Sequence, residues 1–213
     1  KDLKNGLSAP PKLTLPVMLD LALKWRWGMG MLRTRRRQFG NIVGHAKGVG
    51  DTSSLMSWTA EQFDERLDWD KIARIRDMWG GKLILKGILD VEVARQAVNV
   101  GCDAIVVSNH GGRQLDGAGS SISWLPQIAD AVGDRVELIL DSGVRTGMDI
   151  FRARALGASG VLLGRAMVYA LGAMGQPGIE KLLTLLEKEL RTTMGLAGKT
   201  RAGDIGRSDI YRA

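Results

Sequence analysis

The chain of 213 residues carries 30 Lys and Arg against 23 Asp and Glu, a formal net charge of +7, and 45% of it is hydrophobic. That is an ordinary globular balance, in a chain long enough to bury a sizeable core. A single cysteine, Cys102, excludes an internal disulfide framework and fits a reducing compartment, and no apolar run is long enough to span a bilayer.

The charge is unevenly placed. Residues 1–50 hold ten basic and two acidic side chains, a net of +8, whereas the other 163 residues hold 20 basic and 21 acidic, a net of −1. The basicity belongs to one appendage and not to the body, which argues against nucleic acid as a partner. The chain opens in the polar, turn-rich stretch Lys1–Pro11 without an initiating Met, and reads as part of something longer. Residues 1–57 have no clean period. Prolines 10, 11 and 16 break the start and glycines from Gly28 to Gly50 punctuate the rest, so a long basic loop is expected. Within residues 19–37, Trp25 and Trp27 stand beside Arg33, Arg35, Arg36 and Arg37. Indole rings at headgroup level, with arginines meeting anionic lipid, would suit a membrane surface. The competing expectation is a segment packed on the rest of the protein with a solvated arginine face.

Residues 58–195 are regular. Ile72, Ile75, Met78 and Trp79 have helical spacing within Trp69–Trp79, and Gly80-Gly81 ends that helix. Short apolar strands are expected at Leu83–Lys86, Ala104–Val107, Val136–Leu140 and Gly160–Arg165, the last including its exit. Helices are expected at Val91–Val100, near Trp124–Val132, at Met148–Leu156 behind a Thr146/Asp149 capping pair, at Ala166–Met174 and at Ile179–Thr193. Residues 196–213 read as a polar tail. Strands beginning roughly 21 to 32 residues apart with helices between them are (β/α) units. Four such units cannot close an eight-stranded barrel, and the first helix precedes the first strand. The expectation is α/β: the C-terminal half of a (β/α)8 TIM barrel preceded by a long basic loop. A doubly wound open sheet is the competitor, but no glycine-rich fingerprint marks the first βα turn.

In a barrel the C-terminal strand ends share one face, so Lys86, His110 with Arg113, Asp141 with Gly143 and Arg145, and Gly164 with Arg165 should converge. Histidine is the side chain best suited to move a proton near neutral pH, and arginine offers a fixed fork of donors for a carboxylate. Base and clamp together suggest proton abstraction from a small carboxylic acid. The last two strand ends are where barrels commonly hold phosphate at helix starts. The bland alternatives are a capped loop, a structural ion pair at Lys86, turn glycines and surface arginines. A barrel that binds only a phosphate, or a membrane- or partner-binding module, would use only part of the set.

Together Lys86-Gly87, Ser108-Asn109-His110-Gly111-Gly112-Arg113-Gln114-Leu115-Asp116, Asp141-Ser142-Gly143-Val144-Arg145 and Gly160–Arg165 resemble the FMN-dependent L-2-hydroxy-acid oxidising enzymes, over about Trp69 to Thr193. The resemblance implies FMN as cofactor, no metal, and oxidation of a lactate- or mandelate-like acid to its 2-oxo acid. By that likeness His110 is the base, Arg113 holds the substrate carboxylate, and Lys86 faces the flavin N1/O2 edge. Ser108, Asp141, Gly143, Arg145, Gly164 and Arg165 are then the further cofactor-binding residues, the last four nearest the phosphate. It also implies a first barrel half that supplies a further aspartate and tyrosines, so this chain alone is expected to be incomplete. The basic, Trp-bearing segment favours a membrane-associated dehydrogenase feeding a quinone, peripheral on the cytoplasmic face, and a homo-oligomer is expected.

Overall fold

The computed structural model describes residues 14–34, 42, 54, 58, 61–62 and 66–211. The chain divides into two units, residues 1–67 and 68–213.

In the first unit, part of the expected loop is helical. Helices α1 (Leu15–Leu23) and α2 (Trp25–Arg33) follow one another directly. Leu, Met and Ala are good helix formers, and Pro16 is tolerated in the first turn, where its missing N–H is no loss. An ion pair from Lys24 to Asp20 (2.6 Å) spans one turn, and Thr34 turns extended to end α2. Leu19, Leu23, Trp25, Trp27 and Leu32 are all more than half exposed. Arg26 lies 5.9 Å from the Trp25 ring centroid, a cation–π pair. Arg35, Arg36 and Arg37 lie outside the described residues.

The second unit runs α3 (Trp69–Met78), β1 (Ile84–Ile88), α4 (Val91–Asn99), β2 (Ala104–Val107), a 3-10 turn at His110–Gly112, α5 (Ser121–Val132), β3 (Glu137–Leu140), α6 (Gly147–Ala155), β4 (Gly160–Val161), α7 (Arg165–Met174) and α8 (Gln176–Leu196). The four strands are parallel and lie in chain order, β1-β2-β3-β4. A doubly wound sheet must reverse its strand order at a switch point, whereas a barrel adds each strand beside the last. The order and the one-sided core therefore decide for a barrel segment. Ile105, Val107, Leu138 and Leu140 pack from the sheet against Ala94 and Ala97 of α4, and Leu125, Ile128 and Val132 of α5. Each of the larger side chains contributes about 1.5–3 kcal/mol by leaving water. The opposite face, where barrel strands meet, carries Ile84 (50% exposed) and Leu162 (38%). Val106 on that face is only 3% exposed, between its ladder neighbours Lys86 and Ile139.

At the other end of the strands Asp103 gathers three donors: Lys82 Nζ (2.7 Å), Arg76 Nη1 (3.0 Å) and the Leu83 N–H (2.8 Å). The pairing fixes α3 to the start of β2. Hydrogen bonds from Lys82, then from the Leu83 backbone, hold the Asp103 carboxyl at about 2, below its ordinary 3.8.

Boundaries differ from expectation where polar residues conceal helix. Helix α5 begins at Ser121 and not near Trp124, because Ser120 takes the extended N-cap conformation and the serines after it are already helical. Arg165 is the first residue of α7 and not a strand exit, since β4 stops at Val161. Part of the expected polar tail is packed: Ile205 is 5% exposed against Phe151 and Ala155, and Arg207 ties it to Asp130 and to the Pro126 carbonyl.

Candidate active site

The residues singled out for the strand-end site lie in the C-terminal parts of the strands or in the segments that follow them. A cleft of about 440 Å3 is lined by Lys86 of β1, His110 and Arg113 after β2, Asp141, Gly143 and Arg145 after β3, and Gly164 and Arg165 at the start of α7. Ser108, fully buried at the end of β2, is the exception, and it acts from beneath.

The Ser108 hydroxyl donates to Asp141 Oδ2 (2.5 Å) and accepts from Lys86 Nζ (3.2 Å) and from the His110 N–H (3.1 Å). Lys86 Nζ is also 3.1 Å from Asp141 Oδ2, so the ends of β1 and β3 share an ion pair. Partial burial pushes the Asp141 carboxyl up, but the Ser108 hydroxyl and the hydrogen bond and charge of Lys86 together outweigh it and leave the group below its ordinary value. Lys86 thus joins a hydrogen-bonded pair while its side chain remains 42% exposed toward the cleft.

The histidine sits in an unusual backbone. His110, Gly111 and Gly112 have φ of +56°, +67° and +69°, three left-handed residues in a row. Only Ser142 (φ +83°) joins His110 as a non-glycine with positive φ among the described residues. Asn109 closes the turn, its Oδ1 accepting from the Gly112 N–H (3.2 Å), while its own N–H donates to Ser121 Oγ (3.1 Å). The His110 ring rests on Gly87, where an added Cβ would stand 2.7 Å from Cε1, and Gly87 itself has φ +99°. The Arg165 guanidinium donates to the Gly111 carbonyl and ties the start of α7 to the histidine loop.

Of the two helix starts expected to face a phosphate, that of α6 is closed by the chain's own oxygens. The Gly147 N–H donates to Glu189 Oε2 (2.7 Å), and those of Arg145 and Thr146 to Asp149 Oδ2 (3.0 and 2.9 Å). The start of α7 has no side-chain cap. A Cβ at Gly143 or Gly164 would meet nothing within 4 Å, so a ligand can approach the backbone at both. The uncapped α7 amides with Arg145 and Arg165, and Lys86 in the same cleft, fit a cofactor that carries both a phosphate and a ring that gains negative charge. Among the described residues no cluster of His, Cys, Asp and Glu is arranged to hold a metal.

The model of the FMN-dependent dehydrogenase family matches residues 1–212. The chain belongs to that family. As an FMN-dependent dehydrogenase family member it is 46% identical over 217 residues to an L-lactate dehydrogenase of Caulobacter sp. strain K31, covering all of this chain and 56% of that protein. An L-lactate dehydrogenase of Pseudomonas aeruginosa strain LESB58 is 44% identical over 215 residues, with the same coverage. The chain thus spans about half the length of the curated relatives it matches. Among solved structures, the monotopic membrane protein (S)-mandelate dehydrogenase superposes with a TM-score of 0.93 at 34% identity, over all of this chain and 56% of that one. A mandelate oxidase bearing an FMN adduct gives 0.64 at 48% identity, over 66% of this chain and 45% of that one. The family places the four βα units in a TIM barrel with FMN as its cofactor.

The quoted motifs contain three further residues that shape this site, to which sequence reasoning gave no role. Asn109 was legible, since an Asn before two glycines is a turn cap. Gly87 and Ser142 were not, because their partners come from other strands.

Proposed function

We propose that this chain carries the FMN- and substrate-binding half of an L-2-hydroxy-acid dehydrogenase acting on lactate- or mandelate-like acids. The supporting observation is the cleft that unites Lys86, His110, Arg113 and the Gly143–Arg145 and Gly164–Arg165 pairs from four strands. When bound, FMN would take up the two electrons, and one of the two protons, released as the hydroxy acid becomes a 2-oxo acid. His110 accepts the substrate proton through an imidazole nitrogen, from a backbone that the surrounding hydroxyls hold in place. Arg113 receives the substrate carboxylate in its fork of donors and so orients the carbon that is oxidised. Lys86, kept in position by Asp141 and Ser108, provides a fixed cation for the flavin N1/O2 edge. Gly164, Arg165, Gly143 and Arg145 would hold the phosphate, with the α7 start as its principal donor.

The electron acceptor in this reading is a quinone. The exposed indoles and leucines of α1 and α2, with the adjacent arginines, would seat the protein peripherally on an anionic membrane surface at the cytoplasmic face. Among the described residues no helix is long and apolar enough to cross a membrane. A homo-oligomer with the first barrel half in place completes the proposal. The test is an absorbance spectrum of the whole protein. A flavin spectrum that bleaches under nitrogen on adding L-lactate or L-mandelate is expected. Absence of flavin, or a flavin that no 2-hydroxy acid reduces, overturns the reading.

A further inference from the structure

We infer that Ser142 is a positioning residue for the base: its hydroxyl links the Gly111 N–H to the Asp141 carboxylate and thereby holds the histidine turn in its left-handed form. This rests on the reading of His110 as the base.

The argument begins from a residue in the wrong conformation for its type. Ser142 has φ +83°, which a glycine would adopt without steric cost. A side chain kept at such a position needs a compensating contact, and its hydroxyl has one. Ser142 Oγ accepts from the Gly111 N–H at 2.9 Å and reaches Asp141 Oδ2 at 3.4 Å. One residue earlier the arrangement repeats: Ser108 Oγ accepts from the His110 N–H at 3.1 Å and donates to the same Oδ2. Two successive amides of the turn are therefore taken by two hydroxyls, and both hydroxyls converge on one carboxylate oxygen. That oxygen also pairs with Lys86. A single acid at the end of β3 thus sets the base loop and the cofactor-facing cation together.

The turn needs this help. His110 pays for a left-handed conformation with a Cβ, and its ring is exposed on the cleft side. With the Gly111 amide released, the backbone is free to relax toward ordinary φ, and the ring swings away from its seat on Gly87. The effect should spare Arg113, because the next amide, that of Gly112, is held separately by Asn109 Oδ1 and O (3.2 and 3.0 Å).

The experiment uses Ser142→Gly and Ser142→Ala in the whole, FMN-loaded protein. Both remove the hydroxyl, but glycine also removes the steric objection to φ +83°. Hydrogen exchange of the peptide spanning residues 108–113 should quicken about fivefold in both, in keeping with one lost hydrogen bond. Flavin reduction by the hydroxy acid should slow about five- to tenfold, with KM and FMN affinity within about twofold of wild type. The glycine variant should melt no lower than wild type while still being slow. Unchanged exchange, or wild-type turnover in Ser142→Gly, overturns the inference. So does FMN affinity falling in step with rate, which would make Ser142 a cofactor contact. If no 2-hydroxy acid reduces the wild-type flavin, the functional reading fails, and the exchange comparison still decides what Ser142 does.

Discussion

Gly87→Ala tests the seat of the base most directly. An alanine Cβ would stand 2.7 Å from His110 Cε1, roughly 0.8–1.3 Å inside the distance at which two carbons rest. The imidazole is the far end of a flexible side chain, so it will yield rather than the strand, and it must move by about that amount. A shift near 1 Å at a reacting group costs on the order of 100-fold in rate. The φ of +99° adds about 1–2 kcal/mol of backbone strain, which lowers the melting temperature by a few degrees. The expected signature is a large kinetic defect with a small stability defect. It is read by stopped-flow flavin absorbance under nitrogen, beside a thermal melt and an FMN titration. FMN binding should persist, because the group displaced is the His110 ring and not a residue assigned to the cofactor. A Gly87→Ala protein that reduces its flavin at the wild-type rate would refute both the close seating of His110 and its place in the reaction.

His110→Gln should keep FMN but lose at least about 100-fold in turnover, measured in the same apparatus, with near-normal reduction removing the role of base. Asp103 is expected to give an acid-sensitive share of stability. Its folded pKa of about 2 lies below the ordinary 3.8, so the share is present above about pH 4 and disappears as pH falls toward 2. Denaturant melts across that range should show the slope in wild type and a flatter one in Asp103→Asn. Changing Arg33, Arg35, Arg36 and Arg37 to Ser should release the whole protein from anionic vesicles at low salt, each basic residue near such a surface being worth about 1 kcal/mol. Equal sedimentation of wild type and variant would leave the segment without a membrane role.

The strands and the histidine loop were legible because the local signal and the tertiary fate coincide. Ala104–Val107 is an unbroken apolar run, it is buried on both faces, and the first polar residues after it are those of the site. Likewise Thr146 and Asp149 form the expected capping box. What escaped depends on distant partners. Nothing near Ser142 announces that its hydroxyl meets an amide 31 positions earlier, and nothing near Gly87 shows that an imidazole rests on it. Arg165 was legible as a cation but not as the brace that grips the Gly111 carbonyl. The helices at Leu15–Leu23 and Trp25–Arg33 were hidden by Pro16, Gly28 and Gly30, which weaken the periodic signal without forbidding a short helix.

The sequential strand order has a bearing on how the polypeptide assembles. Ile84 pairs with Ala104, Ala104 with Glu137 and Ile139 with Gly160, separations of 20, 33 and 21 positions. Among the described strands each ladder closes a loop of modest length, so the entropy of closure is met in small, similar instalments. A nascent chain leaving the ribosome could add one strand and its covering helix at a time, each new unit docking on the edge left by the last. The fully buried β2, flanked on both sides, is then the natural nucleus, and substitutions at Ile105 or Val107 should slow folding more than those at the half-buried Val161 of the two-residue β4.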